Sequence, residues 1–112
     1  MTTSGEELPR RGEVWWVRVD KRRPAVVVQT DKVREARVRS FLVVPLTSRL
    51  HLDGLPGNVR LARGDTRLSK ASVANVYDVQ KVLRLDFMER AGVLPAARMA
   101  DVAEGLRLVL DL

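Results

Sequence analysis

Two side chains in this sequence suit phosphate chemistry by type and by setting: the guanidinium of Arg23 and the hydroxyl of Thr47. Arg23 opens the run Arg-Pro-Ala-Val-Val-Val, and Thr47 closes the run Phe-Leu-Val-Val-Pro-Leu-Thr. Segments rich in β-branched residues read as strands. A residue that precedes proline is held toward extended geometry, so Arg23 projects from a defined backbone. If the two strands share a sheet, a donor fork and a hydroxyl face one phosphodiester.

The elements that must position this pair follow from periodicity. Residues 1–10 read as a disordered lead, and residues 11–112 as one domain. Glu13 to Val19 alternates, with Val14, Trp16 and Arg18 on one face and Trp15, Val17 and Val19 on the other, as in a small barrel. Only Asp20 to Arg23 separates it from the Ala25 to Gln29 strand, which predicts a hairpin whose short turn exposes Lys21, Arg22 and Arg23 together. Thr30 to Arg39 reads as a loop or helical turn before strand character resumes at Ser40. Pro45 cannot donate to a ladder, which sets Thr47 at a sheet edge or rim.

Ser48 to Asn58, with His51, Asp53-Gly54 and Pro56-Gly57, reads as a long loop able to cover a groove. Val59 to Leu61 is a further strand, Ala62 to Lys70 a basic turn, and Ala71 to Val82 one or two strands around Tyr77-Asp78. Leu85 to Ala91 reads as a short helical stretch capped at Gly92. From Pro95 to Leu112, Met99, Val102, Ala103, Leu106, Val109 and Leu110 recur at helical spacing and predict a helix that packs on the sheet.

Composition narrows the chemistry. The 112 residues carry 20 Lys+Arg against 14 Asp+Glu, a formal net charge of +6, with arginine far outnumbering lysine. Such an excess attracts polyanions, and arginine grips phosphate in a bidentate manner. Nucleic acid is the leading partner on this ground, although charge alone speaks only to non-specific attraction. Cysteine is absent, which excludes disulfides, thiolate metal sites and a cysteine nucleophile. With neither a signal-peptide pattern nor a membrane-spanning run, the sequence reads as cytoplasmic.

In their order along the chain, these pieces resemble the MazF/PemK family of ribonuclease toxins from bacterial toxin–antitoxin pairs. The resemblance rests on Arg11-Gly12-Glu13-Val14-Trp15, the Arg23-Pro24-Ala25-Val26-Val27-Val28 strand, the Val43-Val44-Pro45-Leu46-Thr47-Ser48 strand end and the Pro95 to Leu112 helix. It implies a mainly β fold, a small SH3-like barrel with a C-terminal helix, and usually a homodimer whose interface helps to form an RNA groove. It further implies cleavage of single-stranded RNA without a metal or other cofactor, with Arg23 and Thr47 as the catalytic residues, and a cognate antitoxin whose tail lies across the RNA site. The sequence departs from many relatives in two places. Only Asp20-Lys21-Arg22 stands where they carry a long loop, and Tyr77-Asp78-Val79-Gln80 places Gln80 where they often carry a basic residue.

Metal-free RNA cleavage can use the neighbouring 2′-hydroxyl as nucleophile, which needs a base for its proton, a cation for the pentavalent phosphate and an acid for the 5′-oxygen. Arg23 suits the second task and Thr47 can bond a non-bridging oxygen, each donor being worth roughly 3–4 kcal/mol. Arginine, with a pKa above roughly 12, accepts protons poorly, so the base stays open. His51, the sole histidine, is a candidate base or RNA contact by its ordinary titration range, set against a plain solvated loop position. Lys21, Arg22, Ser48 and Arg49 are candidate RNA contacts, with Arg60 and Arg63 as further basic residues able to track phosphates. Tyr77 is a candidate base-stacking residue, whereas Trp15 and Trp16 more naturally fill core or interface. A non-catalytic alternative on the same barrel is a gyrase-inhibitor-like or nucleic-acid-binding module.

Overall fold

Alternation along β1 (Glu13–Val19) sends Val14 to one side of a sheet and Trp15 and Val17 to the other, and both sides are apolar because both are covered. The computed structural model describes residues 8–112. Six further strands complete the sheet: β2 (Lys21–Val27), β3 (Ser40–Thr47), β4 (Val59–Leu61), β5 (Ser72–Ala74), β6 (Gln80–Leu83) and β7 (Phe87–Val93). The strand order is β4-β5-β3-β2-β1-β7, with β6 also paired to β3, and the ladders are antiparallel. A one-turn helix α1 (Arg63–Thr66) follows β4, and α2 (Ala96–Leu110) ends the chain. This is the expected SH3-like architecture with a C-terminal helix, an open barrel whose end strands β4 and β7 do not pair.

The first apolar cluster lies between sheet and α2. Val14, Val26, Val44, Leu61 and Val76 meet Val102, with Met99, Leu106 and Val109 of α2 packed against them. The second gathers Trp15, Val17, Val27, Phe41, Val43 and Phe87 on the opposite face. There Trp15 and Phe41 each meet Phe87 edge-on, with ring centroids 5.6 Å apart. Leu8 packs on this cluster and Pro9 is buried, so the packed chain starts ahead of Arg11; residues 1–7 of the expected lead lie outside the described residues. Buried Glu13 is satisfied by the Arg10 and Trp15 N–H groups and by Arg90 at 2.9–3.0 Å. No described helix is long and apolar enough to cross a membrane.

Two expectations need correcting. Leu85 to Ala91 is not helical beyond the single 3-10 turn Arg84–Asp86; from Phe87 it is strand β7. Helical propensity there loses to tertiary context, because β7 gives β1 its second hydrogen-bonded neighbour and delivers Phe87 to the aromatic cluster. Gly92 is accordingly no cap: a β-carbon there would stand 2.8 Å from the Thr66 carbonyl oxygen.

The basic segment Lys21 to Arg23 is likewise not a turn. Asp20 alone reverses the chain, at φ 73°, and β2 pairs from Lys21 onward. Aspartate tolerates this left-handed geometry better than a branched residue would. All three cations are exposed, but alternation along the strand splits them between two faces of the sheet instead of gathering them on one turn.

Candidate active site

The register of β2 and β3 places the sequence-selected pair. Ala25 faces Pro45, Val26 faces Val44 and Val27 faces Val43. Continued by two residues, the same register sets Arg23 opposite Thr47, on the face that Ala25 and Pro45 share. Both line one groove of about 380 Å³. The end of β3 from Pro45 to Thr47 lines it together with Ser48, Arg49, Leu52, Asn75 and Asp78.

Pro45 marks where β3 changes neighbours. One edge of the strand pairs with β6 over Ser40 to Val43 and with β5 at Leu46 and Thr47. Proline has no N–H to lose at the switch, and its carbonyl accepts from the Asn75 amide at 3.1 Å. Thr47 therefore ends up at the rim, as its neighbour Pro45 suggested. Its Oγ1 accepts the Arg49 backbone N–H at 3.1 Å, which fixes the oxygen while the hydroxyl proton remains available to donate.

The guanidinium of Arg23 lies 3.9 Å from Asp20, with side-chain exposures of 44% and 84%. An ion pair this long and this wet holds little energy, so the cation stays free to take an anion. Asp78 presents a carboxylate to the same groove, with Oδ2 accepting from Gln80 at 2.9 Å. Asn75 is oriented by its Oδ1, which accepts from Asn58 and from the Tyr77 amide, both at 3.3 Å. Sequence reasoning overlooked Asn75 and Asp78 as site residues. A polar pair just after a short apolar strand was the only signal, and it looks the same in any turn.

Of the other candidates, Ser48 and Arg49 join the groove. Arg22 does not: its guanidinium sits 4.0 Å over the Trp16 ring and pairs with Glu89 at 3.0 Å. Lys21 is exposed at the start of β2 and lies outside the groove lining. His51 is exposed on the 3-10 turn Leu50–Gly54, from which Leu52 alone reaches the groove. Tyr77 is half exposed, but its hydroxyl donates to the Pro56 carbonyl at 2.6 Å, tethering the loop ahead of β4 instead of facing the groove. The segment expected to act as a lid is built, not slack: Asn58 donates to the Leu52 carbonyl and accepts from the Val76 amide, and Asp53 pairs with Arg60. Among the described residues, no group of three or more His, Cys, Asp or Glu side chains could hold a metal ion.

The family described as "PemK-like, MazF-like toxin of type II toxin-antitoxin system" matches residues 10–110. The chain belongs to the MazF/PemK toxin family. One relative within it, endoribonuclease MazF6 of Mycobacterium tuberculosis, is 36% identical over 110 residues, covering 91% of this chain and 96% of the relative. The solved Mycobacterium tuberculosis toxin MazF-mt6 shares the fold with a TM-score of 0.79 at 24% identity, over 89% of this chain and 97% of that one. A mycobacterial endoribonuclease solved in complex with its cognate antitoxin gives a TM-score of 0.77 at 21% identity, over 93% and 96% of the two chains. In this MazF/PemK chain β1 and β2 are joined by the single residue Asp20, so no long loop stands between them beside Arg23.

Proposed function

We propose that this chain is the toxin of a type II toxin–antitoxin pair and a metal-independent, sequence-selective endoribonuclease acting on single-stranded RNA. The observation that carries the reading is the meeting of Arg23 and Thr47 in one groove on a MazF/PemK chain. In the proposed reaction, the ribose 2′-oxygen attacks phosphorus and the bond to the 5′-oxygen breaks. The products are a 2′,3′-cyclic phosphate and a 5′-hydroxyl, the leaving 5′-oxygen taking its proton from solvent water in the open groove. Arg23 places paired N–H donors on the non-bridging oxygens as negative charge builds there, and Thr47 adds a third. Asp78 is the one carboxylate among the groove-lining residues and is the candidate acceptor of the 2′-hydroxyl proton. DNA lacks that hydroxyl and is not cut.

The partners follow from the same reading: a cognate antitoxin and a second copy of the chain. Leu42 of β3 and Leu110 and Leu112 at the chain end line an apolar groove of about 290 Å³, with exposures of 43%, 53% and 85%. That face is assigned to the homodimer, since exposed apolar surface of this kind is where association gains most. The cysteine-free composition suits action in the cytoplasm.

Incubation of purified protein with mixed-sequence single-stranded RNA in excess EDTA tests the function. Fragments ending in cyclic phosphate, absent with Arg23→Ala, support it. Intact RNA at high protein concentration contradicts it and leaves a non-catalytic binding module.

A further inference from the structure

A second cavity of about 240 Å³ backs onto the groove, on the opposite face of the same strand ends. The pairing register shows why. Trp16 faces Pro24 across β1 and β2, and the β2–β3 register one step beyond Ala25 and Pro45 sets Pro24 opposite Leu46. Trp16, Pro24 and Leu46 thus form an apolar row across three strands, on the face turned away from Arg23 and Thr47. All three line the second cavity. Leu46 and Ser48 line both spaces, so the two meet around the end of β3.

The wall of this cavity holds an anomaly. Ser72 is only 4% exposed, yet its Oγ has no hydrogen-bond partner. A buried hydroxyl left unmatched costs free energy, and native structures keep few of them. Lys70 is exposed at the same cavity and offers a cation to a backbone phosphate. The space is smaller than the roughly 300–1,000 Å³ of a drug-sized site, on the scale of a single heteroaromatic ring. Stacking of the Arg22 guanidinium on Trp16 holds one wall in place before anything binds.

The geometry points to this cavity as a nucleobase-reading subsite: the base of a nucleotide flanking the scissile phosphate packs on the Trp16–Pro24–Leu46 row and draws the Ser72 hydroxyl, closed off from the cavity and unpartnered in the unbound protein, round to hydrogen-bond it. The inference rests on the RNA-cleaving reading of the groove. It makes Ser72 a specificity residue, not a catalytic one, because a phosphate bound at Arg23 and Thr47 lies on the other face. A polar edge buried in an apolar slot selects strongly, since a base that fails to match it leaves Ser72 unpaired.

Cleavage of a randomised RNA pool, read by sequencing of fragment ends, provides the test. Ser72→Ala should lower discrimination at one position next to the cut about tenfold, with a much smaller loss in turnover of the preferred sequence. Filling the cavity by Ala71→Phe should abolish that preference. An unchanged preference in both variants overturns the subsite. A titration of isotope-labelled protein with the four nucleoside 5′-monophosphates separates this from failure of the nuclease reading. Amide shifts over residues 68–72 and at the Trp16 indole support the subsite even if the protein cuts no RNA. Shifts confined to residues around Arg23 and Thr47 overturn it.

Discussion

Arg23 and Thr47 stand opposite each other at the far end of the β2–β3 ladder, two residues beyond the last paired positions, Ala25 and Pro45. Two side chains distant in sequence therefore share one groove, with positions fixed by strand pairing and not by loops. Removing the guanidinium should strike chemistry alone. Arg23→Ala is expected to lower kcat/KM on single-stranded RNA by about 10²–10³-fold. Its stability should stay within ~0.5 kcal/mol of the parent chain, because the Asp20 contact is long and exposed. Arg23→Lys keeps the charge but loses the paired donors, and should recover only a small part of the rate. Steady-state kinetics beside denaturant unfolding checks both halves.

Thr47 separates into two functions. Its oxygen accepts the Arg49 amide, and in the proposed reaction its proton is offered to substrate. Thr47→Ser preserves both and should retain most activity, whereas Thr47→Val preserves volume, loses both, and should cost about 10²-fold in kcat. A Val variant as active as Ser would show that the hydroxyl is not used.

Asp78 is assigned the proton-accepting role. Asp78→Asn keeps the shape and can still bond Gln80. It is expected to reduce kcat and to flatten the low-pH limb of the pH–rate profile, since that limb reports protonation of the base. A profile of unchanged shape at reduced rate would assign Asp78 to substrate positioning.

The strands that carry Arg23 and Thr47 were legible because their runs of β-branched residues and the two prolines leave little choice of geometry. The terminal helix was legible through its apolar spacing. Three features were not. Phe87 to Val93 has the local composition of a helix, and only the vacant edge of β1 and the waiting Trp15 and Phe41 rings make it a strand. Arg22 and Arg23 look alike in sequence, yet alternation sends one to Trp16 and Glu89 and the other to the groove. Asn75 and Asp78 enter the site only through the turn after β5, a non-local placement without a period to read.

A fold prediction concerns Gly105 of α2. A β-carbon there would collide with the Gly57 carbonyl oxygen, which is backbone and cannot swing aside, and Gly57 itself has φ +96°. Gly105→Ala should therefore destabilise the protein by about 1–3 kcal/mol, despite the better helix propensity of alanine. Chemical denaturation measures it, and a stabilised variant would contradict this packing of α2.

The proposed dimer face makes a separate prediction. Leu110 is half exposed, so Leu110→Asp should fold normally and convert a dimer to monomer in light scattering at micromolar concentration. Persistence of the dimer would move the interface elsewhere.

The central claim is that Arg23 and Thr47 act together on one phosphate. A double-mutant cycle on kcat/KM for single-stranded RNA in EDTA, using Arg23→Ala, Thr47→Val and the double variant, measures this directly. Residues serving one transition state should be strongly non-additive, the double variant losing little more than the worse single one. Losses that simply multiply, or cleavage that survives both changes, would contradict it.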